Sequence, residues 1–510
     1  MASQIKVMMI NPNPRTMSLI QPTVALFYSI LKEHGIEMRF FDTTFYDTSE
    51  FYADTEKYTE ITLGVPRLKE VKPKELASKK TMVHLLQDFR EELESFYPDV
   101  LLVSATESTI VFARDMLRTV RDLKIPHVLG GVFATSVPEL AISYDEFGVI
   151  CVGEAENVLV PLVQRLANGD KVSGLPGLWQ KNKDGSIERT GIASPVNINN
   201  NPRFDASIFE DSRFYRPMAG RTYRMFPVES HRGCTLKCTF CNSPVQNAMY
   251  KKVNARYFRM KSVQKVIEDI RYFVEEMNAE YLFFWADNFL TYSNDEIDEF
   301  CEAYADFKVP FFIQSYPITL KDYKIKKLAE VGLHRVVMGV EHGNAEFRRK
   351  VVHRIYSNEE AIKQVGILRK YGIQYSANNI VGFPKETPEL HMDTVRLNRA
   401  MMPDTASCAI FTPFHGTYLR RMCIDLGYLD NPDILAPANS EDSILNMPQF
   451  TKKQIFGKAR TFNLYLKFPE SRWKDIEKAE ATTPEGNQIW AELRQEYMEK
   501  YDSVTAVGVH

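Results

Sequence analysis

Lys6–Ile10 is an apolar run that stops at Asn11-Pro12-Asn13-Pro14, and a short apolar run closed by turn residues predicts a buried strand. The period then changes. Val24–Glu33 carries apolar residues at helical spacing and stops at Gly35, and Glu37–Phe41 predicts a second strand closing on Asp42. The alternation continues with a helix near Val83–Phe96, a strand at Asp99–Ser104 and a helix around Phe112–Leu123. A strand at His127–Leu129 closes on Gly130-Gly131, a helix starts near Pro138, a strand at Gly148–Val152 closes on Gly153, and a helix covers Asn157–Leu166. Strands alternating with helices predict a parallel sheet covered on both faces. Turn residues after the strands then line its carboxyl edge, where open α/β sheets bind ligands. The expected fold class is α/β, with a doubly wound, Rossmann-like first block.

Residues 43–82 interrupt the rhythm with Tyr, Thr, Lys and Pro at no clear period, and a long insertion of this kind is either functional or mobile. Leu178–Arg189 reads as a hairpin with Asp184-Gly185 at its turn, and Asn197–Arg224 as an aperiodic connection. A second βα series starts near Phe226, with strands at Phe226–His231, Tyr281–Ala286, Pro310–Gln314, Arg335–Glu341, Gln374–Gly382 and Cys408–Thr412. Val263, Val266, Ile267, Ile270 and Phe273 form one helical stripe. Ser357-Asn358-Glu359-Glu360 reads as a capping box opening a helix that Gly372 stops. Six βα units predict a partial (β/α)6 TIM-type barrel with functional groups at the strand C-termini. From about 430 onward the chain reads as charged helices. The expected organisation is a first domain over 1–195, a linker over 196–225, a second domain over 226–428 and a helical region over 429–510.

Composition narrows the function. Of 510 residues, 44% are hydrophobic and 25% charged, which is globular. Sixty-three Lys+Arg against 66 Asp+Glu leave −3, so no basic field is available for nucleic acid and no such partner is expected. The most apolar stretches, such as Tyr281–Ala286 and Val336–Val340, fall far short of the roughly 20 residues that span a bilayer. The N-terminus enters the first strand with no signal-peptide layout. A soluble, cytoplasmic protein is expected.

Seven cysteines in such a chain argue against a disulfide framework. Cys151, Cys301, Cys408 and Cys423 are scattered and read as small core residues. Cys234, Cys238 and Cys241 sit within eight residues, in His231-Arg232-Gly233-Cys234-Thr235-Leu236-Lys237-Cys238-Thr239-Phe240-Cys241. Three thiolates on one loop can hold three irons of a [4Fe–4S] cluster and leave the fourth open. The alternative is zinc, with His231 as fourth ligand.

The CxxxCxxC spacing, with Phe240 before the last cysteine, resembles the radical S-adenosylmethionine (SAM) superfamily. Four further segments match in barrel order: Trp285-Ala286-Asp287-Asn288, Gly339–Asn344, Gly382-Phe383-Pro384-Lys385-Glu386-Thr387, and Thr412-Pro413-Phe414-His415-Gly416-Thr417. The last has His415 where the TPxPGT pattern carries proline. Singly, each also reads as a helix cap or a turn. The resemblance implies a SAM site involving Phe240, Asp287, Asn288, Glu341 and Asn344.

The first block is similar to the cobalamin-binding domain fused to many radical SAM enzymes. The likeness rests on Asn11-Pro12, Pro98–Thr106, Gly130-Gly131 and Gly153-Glu154-Ala155-Glu156. It implies that Asn11, Ser104, Thr106, Gly130, Gly131, Gly153, Glu154 and Glu156 contact cobalamin, small residues letting backbone approach a flat ligand. Corrinoid proteins that ligate cobalt with histidine carry DxHxxG after the first strand; here Asn11–Arg15 stands instead, and His34, His84 and His127 lie elsewhere. His34, before Gly35, reads as a helix-terminal charge. Base-off cobalamin without a histidine lower ligand is expected.

Together the resemblances imply a cobalamin-dependent radical SAM enzyme, methyltransferase type (class B). Its expected cycle methylates cob(I)alamin with one SAM and cleaves another to a 5′-deoxyadenosyl radical. The radical then removes hydrogen from an unactivated carbon, which takes the methyl group of methylcobalamin. An electron donor such as ferredoxin or flavodoxin and a small-molecule, peptide or protein substrate are implied. A second reading keeps both cofactors but performs a non-methylating rearrangement or cyclisation. A third is a corrinoid-binding protein with a structural metal and no turnover; Glu341–Asn344 speaks against it, since a binding module needs no SAM pocket.

Overall fold

Strand β1 (Lys6–Ile10) sends Val7 and Met9 into one apolar core and Met8 and Ile10 into another, as the two-residue period of a strand requires. Helices therefore cover both faces of the sheet it belongs to. The computed structural model describes residues 4–13, 20–48, 61–63, 81–219, 221–435 and 442–502. Most of the insertion expected over 43–82 lies outside them.

The first sheet contains β2 (Glu37–Phe41), β3 (Val100–Ser104), β4 (His127–Gly130), β5 (Val149–Cys151), β6 (Leu178–Lys181) and β7 (Ile187–Arg189), ordered 2-1-3-4-5-6-7. Strands β1 to β5 are parallel; β6 and β7 are the predicted hairpin and add antiparallel. Helices α1 (Pro22–Glu33), α2 (Met82–Phe96), α3 (Ile110–Thr119), α4 (Val132–Ser136), α5 (Pro138–Ser143) and α6 (Leu159–Ala167) alternate with the strands. Where one helix was expected from Pro138, two short ones flank Val137. In the order 2-1-3-4-5 the strand order reverses at β1 and β3, which leaves a crevice at their carboxyl ends.

The connection over 196–225 is not the loose, aperiodic stretch its sequence suggests. Phe204, Phe209 and Phe214 join the core shared by both halves, and Arg213 is fully buried, with Nη1 2.7 Å from Asp42 Oδ2. It also contains a strand, β8 (Tyr215–Met218), that pairs antiparallel with β9 (Arg221–Glu229).

The second sheet is open, ordered β16-β15-β14-β13-β12-β9-β8, with every pair but β8–β9 parallel. Its members are β12 (Tyr281–Trp285), β13 (Phe311–Ser315), β14 (Leu333–Glu341), β15 (Gln374–Val381) and β16 (Thr405–Ile410); β10 (His231–Arg232) and β11 (Arg259–Met260) make a separate two-stranded ribbon. Leu282, Phe284, Val336, Met338 and Val340 point outward to the helices. The helices that matter below are α7 (Ser243–Lys251), α8 (Val263–Arg271), α9 (Asn358–Lys370), α10 (Pro388–Met401) and α11 (Tyr418–Asp425). The stripe from Val263 to Ile270 faces the core in α8. Ser357 caps α9 by accepting from Glu360 N–H, but the reciprocal bond of a capping box is not formed. Gly372 follows α9 at φ +67°.

The C-terminal region is helical from Lys452, in α12 (Lys452–Lys467), α13 (Trp473–Ala479) and α14 (Pro484–Tyr497). Among the described residues from 426 to 451 there is no helix, a departure from the expectation. Helix α12 packs on β16 and α10, so it covers the outer face at the open edge.

Candidate active site

The cluster loop begins where Gly233, at φ +85°, turns the chain; a Cβ there would lie 2.7 Å from the Tyr257 ring. Beyond it Cys234, Cys238 and Cys241 line one cavity of about 170 Å³. Thr239 secures the loop: its hydroxyl donates to Val351 O at 2.5 Å, its N–H to Val352 O, and its carbonyl accepts from Leu419 N–H. Burial pushes the thiols up, Cys234 to about 12. Since metals bind thiolates, cluster assembly here must release protons. Soft anionic donors on one cavity fit three irons of a [4Fe–4S] cluster. His231, the fourth ligand of the zinc alternative, does not line that cavity. Its Nδ1 is 2.8 Å from Ser230 Oγ and its ring packs on Tyr292, Phe258 and Phe289. Burial pushes it down to about 3.

Phe240, Asp287 and Glu341 line the same cavity, with Ser243, Gln314, Tyr316, Gly339, Arg354 and Asn378. Asp287 follows β12, 3.4 Å from Ser243 Oγ, and burial raises its pKa. Glu341 ends β14 at a bulge, where the register against β15 slips between Gly339 and Glu341 and Glu341 takes φ +66°. Such backbone is strained for a residue with a side chain. Its carboxylate lies 3.1 Å from Arg354 Nη2, and Arg354 Nε donates to Cys238 Sγ at 3.2 Å. Gly339 carries the pair overhead: an added Cβ would run into Glu341 Oε1 and sit 2.8 Å from Arg354 Nη1.

Asn288 and Asn344 lie behind this surface. Asn288 Oδ1 accepts from Ser315 and Thr319 hydroxyls. Asn344 Oδ1 caps the following turn at Phe347 N–H, and its Nδ2 donates to Asp393 at 2.8 Å. Glu386 links its own segment to Gly339–Asn344. Its Oε2 accepts from Gly382 and Phe383 N–H at 2.6 and 2.9 Å, and its Oε1 lies 3.2 Å from His342 Nε2. His342 Nδ1 accepts from Asn344 N–H, which leaves its proton on Nε2, toward Glu386. Burial would raise Glu386, but the two buried histidines beside it, His342 and His391, outweigh it and hold it at about 2.

A second cavity, of about 310 Å³, opens on the carboxyl edge of the first sheet. Ser104, Gly130, Gly131, Gly153, Glu154 and Glu156 line it; Asn11 and Thr106 do not. Thr106 is exposed and its N–H bonds Thr109 Oγ1. Gly131, at φ +91°, would put a Cβ 2.7 Å from Ala105 O, and Gly153, at φ +92°, 3.0 Å from Tyr250 OH. Neighbouring protein thus already demands glycine at both. His127 sits at the opposite end of the sheet, 2.6 Å from Glu146 O, and His34 caps α1 by bonding Ile30 O.

The opposite wall of this cavity comes from the second half: Glu229, Arg232, Gln246, Tyr257 and Trp285. Arg232, two residues before Cys234, lies 2.5 Å from Glu156, 3.5 Å from Glu154 and 2.8 Å from Glu229. Arg259 also holds Glu154. Burial alone would raise Glu154 and Glu229, yet the cationic partners hold both below the usual carboxylate range.

A family model described as the Radical SAM superfamily matches residues 228–397, and one described as the B12 binding domain matches 75–163. The chain belongs to the cobalamin-dependent radical SAM enzymes. The enzyme is 24% identical over 397 residues to an uncharacterized methyltransferase of Pyrococcus horikoshii, covering 76% of this chain and 83% of that one. It is 26% identical to the anaerobic magnesium-protoporphyrin IX monomethyl ester cyclase of Rubrivivax gelatinosus over 64% of this chain, spanning 58% of the cyclase. Its fold matches the radical SAM methyltransferase TsrM of Kitasatospora setae, solved with cobalamin and a [4Fe–4S] cluster, at TM-score 0.63 and 15% identity, over 98% of this chain and all of TsrM.

Arg354, Tyr316, Tyr257 and Gln246 join the enzyme's two cavities without having stood out in sequence. Arg354 follows Glu341 by thirteen positions in no recognisable pattern, and only the fold turns it back onto the cysteines.

Proposed function

We propose that the enzyme methylates an unactivated carbon of a substrate held between its two cavities. The observation carrying this reading is their meeting at one strand end: Trp285 lines the first-sheet cavity and Asp287, two residues on, the cysteine cavity. When bound, the cluster with SAM would supply a 5′-deoxyadenosyl radical and cobalamin a transferable methyl group. Cys234, Cys238 and Cys241 would hold the cluster. The carboxylates of Asp287 and Glu341 can accept from the SAM ammonium and ribose hydroxyls beside the Phe240 ring, while Asn288 and Asn344 brace the turns carrying them. Ser104, Gly130, Gly131, Gly153, Glu154 and Glu156 would wall the tail of base-off cobalamin, with Asn11 and Thr106 at its margin and no histidine beneath the cobalt. Trp285 and Tyr257 would exclude water.

Trp285 is 41% exposed, and Gln314 and Asn378 face the open interior uncharged. Such a surface suits a substrate with amide or hydroxyl groups, a peptide residue among them. Reducing equivalents would come from a ferredoxin or flavodoxin in the cytoplasm. Among the described residues no helix is long and apolar enough to cross a membrane.

The test is anaerobic. Protein reconstituted with iron, sulfide and cobalamin, given SAM and a strong reductant, should form deoxyadenosine and add one carbon to its substrate. The likeness to a cyclase favours one rival, a non-methylating rearrangement or cyclisation. Deoxyadenosine with a product that gains no carbon would select it.

A further inference from the structure

The carboxyl edge of the first sheet is tied to the connection and the second domain beyond four of its strands. Arg213 holds Asp42 beyond β2, Asn242 holds Ser136 beyond β4, and Arg232 and Arg259 hold Glu154 and Glu156 beyond β5. The tie beyond β3 uses a residue that departs from the family pattern. Glu107 Oε2 accepts from His415 N–H at 2.7 Å, and Glu107 Oε1 lies 2.8 Å from His415 Nδ1 and 3.5 Å from Arg420 Nη1. All three side chains are buried. His415 stands where the resembling motif has proline, and proline has neither an N–H nor a polar ring atom. Both bonds to Glu107 therefore depend on the departure.

Glu107 belongs to the turn Thr106–Thr109 that opens α3, three residues beyond Ser104 in the cavity wall. The next residue after the clamp, Gly416, presses on the neighbouring loop: a Cβ on it would lie 3.0 Å from Ser136 O. The loop after β16 thus grips the sheet edge at two adjacent strands. We propose that His415 and Glu107 form a clamp that holds the two halves closed on the first-sheet cavity, and so retains and positions cobalamin there. The inference rests on the reading above that this cavity takes cobalamin. A ligand in it has Ser104, Gly130 and Gly153 on one side and Arg232, Tyr257 and Trp285 on the other, so parting the halves takes away one of its walls. Parting breaks a hydrogen bond to a buried carboxylate, among the stronger kinds. Both are positioning residues, acting through the docking of the halves.

The experiment follows cobalamin release from the full-length, hydroxocobalamin-loaded protein by the loss of protein-bound corrin absorbance after dilution. His415→Asn keeps the N–H and puts an amide nitrogen near the place of Nδ1; His415→Ala keeps only the N–H; His415→Pro keeps neither. Release from His415→Asn should stay within about twofold of wild type, and release from His415→Pro should be on the order of tenfold faster, with His415→Ala between them. Adding Glu107→Ala to His415→Pro should accelerate release less than the two single effects combined, because the partners share one interaction. Thermal midpoints of the unloaded variants separate this effect from general unfolding, and if His415→Pro does not fold, the Asn–Ala pair decides. Equal release from wild type, His415→Ala and His415→Pro would overturn the clamp, as would independent effects of the two substitutions. A wild-type protein that takes up no cobalamin would instead overturn the functional reading on which the clamp rests.

Discussion

At the scale of single residues, Glu341 brings two opposed energies together. Replacing it with glycine relieves a left-handed backbone, a gain of about 1–2 kcal/mol, but leaves the buried Arg354 guanidinium without its carboxylate, a loss of about 3–5 kcal/mol. The loss wins, so Glu341→Gly should lower the thermal midpoint. Iron–sulfur loading should shrink the difference, since a cluster held as proposed would keep Cys238, 3.2 Å from Arg354 Nε, a permanent thiolate; unfolding curves with and without reconstitution check both points. Glu386 makes a pH prediction. Its folded pKa, about 2, lies below its ordinary 4.5, so its stabilisation is complete above about pH 4.5 and fades as pH falls toward 2. Glu386→Gln should flatten that acid limb in urea unfolding measured across pH. The cysteines, Asp287 and Glu341 were legible because a motif fixes their spacing. Asn288 and Asn344 were legible only as members of motifs: an asparagine at a strand end reads equally as ligand or brace, and here both side chains brace.

At the scale of elements, the turn after β14 depends on how closely β14 and α10 approach. Gly343 N–H donates to Thr394 Oγ1 at 2.9 Å, and a Cβ on Gly343 would overlap Asp393 O and Thr394 Cα. Gly343→Ala should therefore cost about 3 kcal/mol or more and weaken SAM binding in equilibrium dialysis. Helix α12 shows a polar version of the same dependence: buried Asn463 donates to Thr62 O and Ala406 O, both at 2.9 Å. Asn463→Leu removes both hydrogen bonds and should cost about 1–3 kcal/mol, read as a lower urea midpoint. Long central strands were easy to place, because apolar runs closed by glycine have few other readings. Strand β8 was missed: Tyr215–Met218 is short, contains Pro217 and lies on the sheet edge, where alternation is weakest and proline is tolerated. The bulge in β14 was equally hidden, since Gly339-Val340-Glu341 looks like an unbroken strand until β15 is laid beside it.

At the scale of the whole molecule, the two halves share one apolar core, through Phe204, Phe209 and Phe214, and a seam of largely buried ion pairs and hydrogen bonds. The core was legible in outline from the two βα series, but the seam was not, because its partners lie far apart in the chain: Arg232 meets Glu156, and His415 meets Glu107. Removing residues from 429 onward should leave insoluble protein, since Ile455, Ala459, Phe462 and Leu464 of α12 are fully buried; soluble yield and circular dichroism of the truncated chain check this. The exposed ring at the seam also has an optical use. The chain has four tryptophans, and Trp285 alone among them lines the first-sheet cavity. A corrin beside that indole would absorb the energy of its emission, so the enzyme carries an intrinsic fluorescence gauge of its own loading. The dimming lost in a Trp285→Phe variant would report the seam, without any attached dye.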